Sequence, residues 1–467
     1  MQIFFKAFVE FVTTQLLFYV LVFWLRGTCG ILEMLLLGFQ HLFAMFGATV
    51  LVPVLTGLSV SATLLFAGMG TLLFHLITKR KVPAFLGSSF AFLGGYATVT
   101  ALGADNGMSQ SRALTYACIG VFCAGLLYLI LAGLIKAFGT KKVMRFFPPV
   151  VTGPIIIAIG LTLSGSALSN CTYNPLNPLT KYSWLIALVA VVTVIICSIW
   201  AKGIIKIVPI LMGVIVSYIF AVCIGAVDFT SVKEAAWIGV PFHWENTAMS
   251  VFQDPDWGFM ATAIISIIPI ALATMVEHIG DICSIASTTN RNYLEDPGLH
   301  RTLMGDGLAT SLAALFGAPA NTTYGENTGV LNLTKVYDPR VIRIAAVIAM
   351  LLSFCPKFAE LIHVMPTGTI GGISLILYGM IAAVGVRNLV ENHVDFTKSR
   401  NVMVAALILV LAIGIKYALN DQIKLGSIGL SGLAVADLVG IILNAIIPDD
   451  QTALTKKLAE EDIDEKA

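Results

Sequence analysis

Glu277 and Asp281 stand four residues apart inside 258–283, a run that is otherwise almost wholly apolar. On an α-helix that spacing places both carboxyls on one face, one turn apart. A third carboxyl, Glu326, opens another apolar stretch, where the positive end of a helix dipole favours an acid. An acidic side chain inside a membrane-length run costs about 2.5–3.5 kcal/mol on insertion scales, so each is a functional candidate by default. Such carboxyls can accept hydrogen bonds from the N–H groups of a small polar ligand, or carry a proton. Two of them in one dry cavity resist joint ionisation, so that a proton is shared between them. Blander roles stay open: Glu277 and Asp281 as polar residues at a cytoplasmic helix end, since Ser284 follows, and Glu326 as a simple N-terminal cap. His278 points about 100° away from Glu277 and is expected to make a structural hydrogen bond rather than to relay protons.

Gln40 and His41 form a second polar pair, early in the apolar run 35–55. In lipid they need partners on neighbouring helices, and bracing the site is their expected role. Lys416, in the run 402–419, is expected to snorkel to the outer interface.

Two segments would hold these groups in place. Pro83-Ala84-Phe85-Leu86-Gly87-Ser88-Ser89-Phe90 and Pro319-Ala320-Asn321-Thr322-Thr323-Tyr324-Gly325-Glu326 both open with Pro-Ala, run through small, polar or β-favouring residues, and lead into a half-length apolar stretch. Irregular backbone survives at membrane depth only where protein buries it or a cavity adjoins it. A pair of interrupted spans in corresponding halves points to a transporter binding site. Extended segments meeting there would leave helix N-termini, with free N–H groups, aimed at one cavity. Two re-entrant loops of purely structural role are the alternative.

The whole chain must therefore be read as membrane-embedded. Of its 467 residues 57% are hydrophobic and 12% charged, with a mean hydropathy of +0.89. Soluble domains carry about 25% charged residues, so a soluble enzyme, a nucleic-acid binder and a disordered scaffold are excluded. The eight cysteines are scattered without metal-ligand spacing and read as packing residues. No HExxH or GxSxG motif supports a membrane-embedded enzyme, and the paired broken spans suit an alternately accessible site better than a channel.

Apolar runs long enough for a bilayer recur at about 35–55, 58–78, 114–138, 149–168, 183–201, 206–226, 258–283, 302–316, 341–363, 366–386, 402–419 and 427–447. With the broken segments near 84–103 and 319–337, fourteen crossings result, and each broken segment is the third span of a seven-span half. Loops after even-numbered spans hold seventeen Lys and Arg, among them Lys79, Arg80, Lys81, Lys141, Lys142, Arg145 and Arg301; the opposite loops hold only Arg112, Lys181, Lys233, Lys357 and Lys424. By the positive-inside rule the even loops and the acidic tail 448–467 are cytoplasmic. Residues 1–30 carry no convincing signal peptide and are left as an extension of unknown role.

These residues carry a family likeness. Gln40-His41 with Phe43-Ala44-Met45-Phe46-Gly47, and Glu326-Asn327-Thr328-Gly329 followed by Thr334-Lys335, resemble the signatures of the nucleobase–ascorbate transporter family, also called nucleobase:cation symporter-2. Glu277-His278-Ile279-Gly280, Asp296-Pro297-Gly298-Leu299-His300-Arg301 and Asn321 to Asn327 look like its bacterial uracil permeases in particular. The likeness covers about 31–447.

It implies an all-α polytopic fold of fourteen transmembrane segments in two inverted seven-span repeats. The core domain would comprise 31–140 and 257–364, the gate domain 141–256 and 365–447. It implies that Glu277 and Glu326 hydrogen-bond the nucleobase, that backbone at Phe90 and Gly325 adds contacts, and that Ala48 and Tyr324 pack nearby, with Gln40, His41, His278 and Asn327 in support. The function implied is uracil:proton symport across the cell membrane by alternating access, with the proton as coupling ion, no other cofactor, no nucleic-acid partner, and a homodimer through the gate domains. One position departs: uracil permeases of this type generally have His where Asp281 stands, and purine carriers have Asp but usually open the signature with Gln rather than Glu326. A purine carrier, for xanthine or uric acid, is thus the alternative, and the Glu277/Asp281 pair becomes the expected proton site.

Overall fold

The computed structural model describes residues 31–139, 148–175, 177–202, 204–419, 423–425 and 428–447. The extension 1–30, the loop with Lys141, Lys142 and Arg145, and the tail 448–467 lie outside the described residues.

The apolar runs fold as helices because lipid offers the backbone no other hydrogen-bond partner. They are α1 (Ile31–Thr56), α2 (Val60–Ile77), α3 (Leu93–Asp105), α4 (Gln110–Phe138), α5 (Pro149–Cys171), α6 (Ser183–Ile199), α7 (Pro209–Cys223), α8 (Trp257–Ile267), α9 (Ile270–Thr289), α10 (Leu299–Leu315), α11 (Gly325–Thr334), α12 (Pro339–Ser353), α13 (Pro356–His363), α14 (Thr367–Glu391), α15 (Ser399–Ala418) and α16 (Gly432–Ile446). Eight helices among the described residues are long and apolar enough to cross a membrane, α8 and α9 counting together as one. The pair α12 and α13, bent by 88°, makes a ninth. The chain is an all-α polytopic membrane protein.

Starts are fixed locally. The hydroxyls of Ser59, Ser109 and Ser431 and the carboxyls of Asp256 and Asp338 accept from first-turn N–H groups of the helices they precede. Pro269, which has no N–H, sits in the break between α8 and α9. Helix α9 continues two turns past Asp281 to Thr289, so Glu277 and Asp281 stand mid-helix rather than at its end.

Helix α4 runs along α10, and α2 lies against both α10 and α12. In a second group α5 runs along α14, α6 packs on α7 and α14, and α15 packs on α5 and α16. Small residues allow the α5–α14 approach: a Cβ at Gly385 would stand 2.6 Å from the Gly153 carbonyl oxygen. Helix α10, with Arg301 and Asp306, is held within protein by α2 and α4 rather than exposed along its length to lipid.

Both broken segments are extended. Strand β1 (Leu86–Ser88) pairs antiparallel with β2 (Asn321–Thr323), with Leu86 opposite Thr323, Gly87 opposite Thr322 and Ser88 opposite Asn321. The ladder continues at its ends, where Ser89 N–H donates to the Ala320 carbonyl at 2.8 Å and Tyr324 N–H to the Phe85 carbonyl at 3.0 Å. Pairing with each other supplies the backbone partners that an interrupted helix loses. Helices α3 and α11 follow directly, and the residues that precede them make no side-chain cap.

Candidate functional site

The two-stranded ladder is wholly buried, and its side chains anchor it to the surrounding helices. Asn321 Nδ2 donates to the Phe66 carbonyl on α2 at 3.1 Å, and Thr310 on α10 donates to the Asn321 carbonyl at 2.9 Å. Thr71 Oγ1 on α2 accepts from Leu86 N–H at 2.9 Å. Ser88 Oγ donates to the α1 carbonyls of Thr49 at 2.8 Å and Ala48 at 3.4 Å. Tyr324, at the end of β2, donates to the Ser88 carbonyl at 2.8 Å and accepts from Thr49 Oγ1 at 3.2 Å. A Cβ at Gly87 would fall 2.5 Å from the Tyr324 ring, so only glycine fits beneath it.

Around this ladder the three sequence-nominated carboxyls come together. Glu277 and Asp281 on α9 and Glu326 on α11 are each half-buried, and Asp306 and Glu326 lie within electrostatic range of Glu277. Asp281 Oδ1 lies 3.9 Å from where a Cβ would stand on Gly325. Gly280, Gly325 and Gly329 are exposed, and a Cβ at Gly280 or Gly329 would meet nothing within 4 Å. These exposed glycines leave an open cleft between α9 and α11, with Glu277 and Asp281 on one helix and Glu326 on the other. Phe90, half-buried, meets Tyr378 of α14 edge to face at 6.2 Å and carries the site toward the second helix group.

The supporting residues are placed by specific contacts. His278 is sealed from solvent with Nδ1 2.9 Å from Thr323 Oγ1 and 3.1 Å from Asp306 Oδ2. It ties α9 to β2 and α10. Asn327 Nδ2 donates to the His41 carbonyl at 3.0 Å and lies 3.1 Å from His41 Nδ1, which ties α11 to α1. Gln40 is half-buried beside this pair in sequence, and Ala48 is buried beneath Ser88. Lys416, in the last turn of α15, is half-buried and is among the residues lining a small cavity with Gly94 of α3 and Ile270 of α9.

Sequence reasoning missed Asp306, with no exposed surface, and Thr49, and it named Ser88, Asn321 and Thr323 only as members of the broken segments. Asp306 carried a usable signal, since an acid inside an apolar run is the rule that nominated Glu277. Tyr128 closes the same buried network by donating to Thr274 of α9 at 2.6 Å.

The cleft can accept N–H hydrogen bonds at its carboxyls and donate them from the first turns of α3 and α11, a set complementary to a small planar ligand with N–H groups and carbonyls. The whole chain also has relatives among known proteins. A family model described as "Permease family" matches residues 32–420. The uracil permease of Bacillus caldolyticus is 40% identical over 443 residues, covering 95% of this chain and 98% of that protein. The uracil permease of Escherichia coli K12 is 38% identical over 418 residues, covering 89% and 91%. Among solved structures, the transmembrane domain of the cyanobacterial bicarbonate transporter BicA shares the fold with a TM-score of 0.57 at 15% identity, over 88% of this chain and 96% of that one. Murine Slc26a9, an anion transporter, does so with a TM-score of 0.61 at 12% identity, over 91% and 70%.

Proposed function

The chain belongs to the nucleobase:cation symporter-2 family of permeases, and from that membership and the acid-lined cleft we propose that it imports uracil together with protons across the plasma membrane. It is a multi-pass membrane transporter and not an enzyme. The observation that carries the reading is the convergence of Glu277, Asp281 and Glu326 on an open cleft over Gly325.

Uracil presents two ring N–H donors and two carbonyl acceptors. Glu277 and Glu326 take the donors, while N–H groups at Phe90, at Gly325 and in the first turns of α3 and α11 serve the carbonyls. Tyr324 and Ala48 shape the wall, and the His41–Asn327 and His278–Thr323 contacts hold α11 and β2 in register with α1 and α9. Glu277 and Asp281 share a transported proton, because crowded acids in one cleft cannot all ionise together.

Counting α7, α10, α16 and the two broken segments as crossings gives fourteen. What supports an inverted repeat is the packing: α4 on α10 mirrors α12 on α2, and α6 on α7 mirrors α15 on α16. The core domain, 31–140 and 257–364, then carries the site, and the gate domain, 141–256 and 365–447, flanks it. The C-terminus is cytoplasmic, and a homodimer forms through the gate domains.

Uracil binding to detergent-purified protein tests the site. Glu277→Gln and Glu326→Gln each remove a charge-assisted hydrogen bond of about 1.5–3 kcal/mol, so Kd should rise about 10- to 150-fold with Tm nearly unchanged. Unaltered affinity in both variants overturns the assignment.

A further inference from the structure

Asp437 lies in α16 with no exposed surface, and neither of its carboxyl oxygens has a hydrogen-bond partner. Among the described residues it makes no ion pair. Helix α16 packs against α15, α5 and α9. The titratable groups on those helices are Arg400, Lys416 and Tyr417 on α15, Cys171 at the end of α5, and Glu277, His278, Asp281 and Cys283 on α9. Arg400 is engaged with Asn444 and the Ile447 carbonyl, Tyr417 with Ser164, and His278 with Thr323.

A carboxylate charge sealed there without a donor is far costlier than a neutral acid, so the group keeps its proton in this conformation. A neutral acid that uses neither its donor nor its acceptors gives no stability that an apolar side chain would not. Its presence is explained by a second conformation that supplies water or a partner. A cavity with room for about one water molecule lies at the start of α16, lined by Gly94, Thr162, Ile270, Lys416, Ser431 and Leu433. Leu433 precedes Asp437 by one helical turn, on the same face. The cavity thus sits where α3 and α9 meet α5, α15 and α16.

We propose that Asp437 is a second proton-carrying carboxyl of the transport cycle, reached through this cavity and standing on the opposite side of the domain seam from Glu277 and Asp281. The inference rests on the proposed uracil:proton symport. A hydronium ion gives its proton to a carboxylate oxygen, leaving water, and forms the neutral acid that the sealed position favours. When α16 and α9 part and water reaches that face, the O–H bond breaks, the proton passes to water and the carboxylate remains.

The test is the ratio of protons to uracil moved, measured in proteoliposomes with labelled uracil and an entrapped pH dye, for wild type, Asp437→Asn, Asp437→Ser and Asp437→Glu. Both neutral variants should carry uracil with one proton fewer per molecule than wild type, and Asp437→Glu should restore the wild-type ratio. The Asn side chain matches the neutral acid in shape, and Ser repeats the comparison with a smaller one, so either variant that inserts decides. An unchanged ratio in a neutral variant overturns the assignment and leaves Asp437 as a permanently protonated packing residue. Absence of uracil movement by wild type overturns the symport reading itself, a separate outcome.

Discussion

The phenol of Tyr324 donates a 2.8 Å hydrogen bond to the backbone carbonyl of Ser88, joining the ends of two extended segments 236 residues apart in sequence. This bond, with the Thr49 hydroxyl that donates to the same oxygen, sets the spacing between the two half-helices that border the cleft. Replacement of Tyr324 by Phe keeps the ring over Gly87 and removes only the hydroxyl. With a typical hydrogen bond contributing about 0.5–1.5 kcal/mol, the KM for uracil should rise about 2- to 13-fold, as measured by initial uptake rates, with Vmax changed less.

Gly87→Ala makes the complementary test. Its new Cβ would lie 2.5 Å from the Tyr324 ring and 2.6 Å from Thr49 Oγ1. Overpacking of this kind costs about 1–3 kcal/mol. Thermal unfolding of the purified protein should show a lowered Tm, and uptake should fall more than it does in Tyr324→Phe, because the ladder itself must shift.

Asn327→Ala should act through packing rather than ligand contact. It removes the donor that the buried His41 carbonyl accepts at 3.0 Å, leaving polar groups unsatisfied at about 1–3 kcal/mol. Lower Tm without uracil, partly restored by saturating uracil, is the expected outcome of differential scanning fluorimetry.

The broken segments and the three carboxyls were legible because membrane-length apolar runs leave few places for Pro, Gly or acid. Pro83, Pro319, Glu277 and Glu326 stand out from their surroundings on that ground alone. The register of Ser88 against Asn321 was not legible, since strand pairing over so long a separation depends on how the intervening helices pack. Asp306 and Asp437 went unremarked although the same rule applies to both. Each is a single acid in its run, without a second acid at helical spacing to draw notice, and its meaning comes from neighbours on other helices.

Lys81, after α2, hydrogen-bonds Asp296, between α9 and α10, and this holds the Asp296 carboxyl below the usual carboxylate range. A carboxyl depressed in the folded state contributes stability above its unfolded value, about 3.9, and loses it as pH falls through the folded value. Both side chains are well exposed, so the effect is small and screened by salt. Asp296→Asn should lower Tm slightly at pH 7 in low salt, and the difference should shrink as pH falls below about 4 and vanish below the folded value.

The central claim is tested most directly by uptake of labelled uracil into proteoliposomes with and without an imposed inward proton gradient, with xanthine as competitor. Uracil should accumulate above equilibrium only when the gradient is present, collapse to equilibrium on addition of a protonophore, and be undisturbed by excess xanthine. Equal accumulation with and without the gradient, or displacement of uracil by xanthine, would contradict the account.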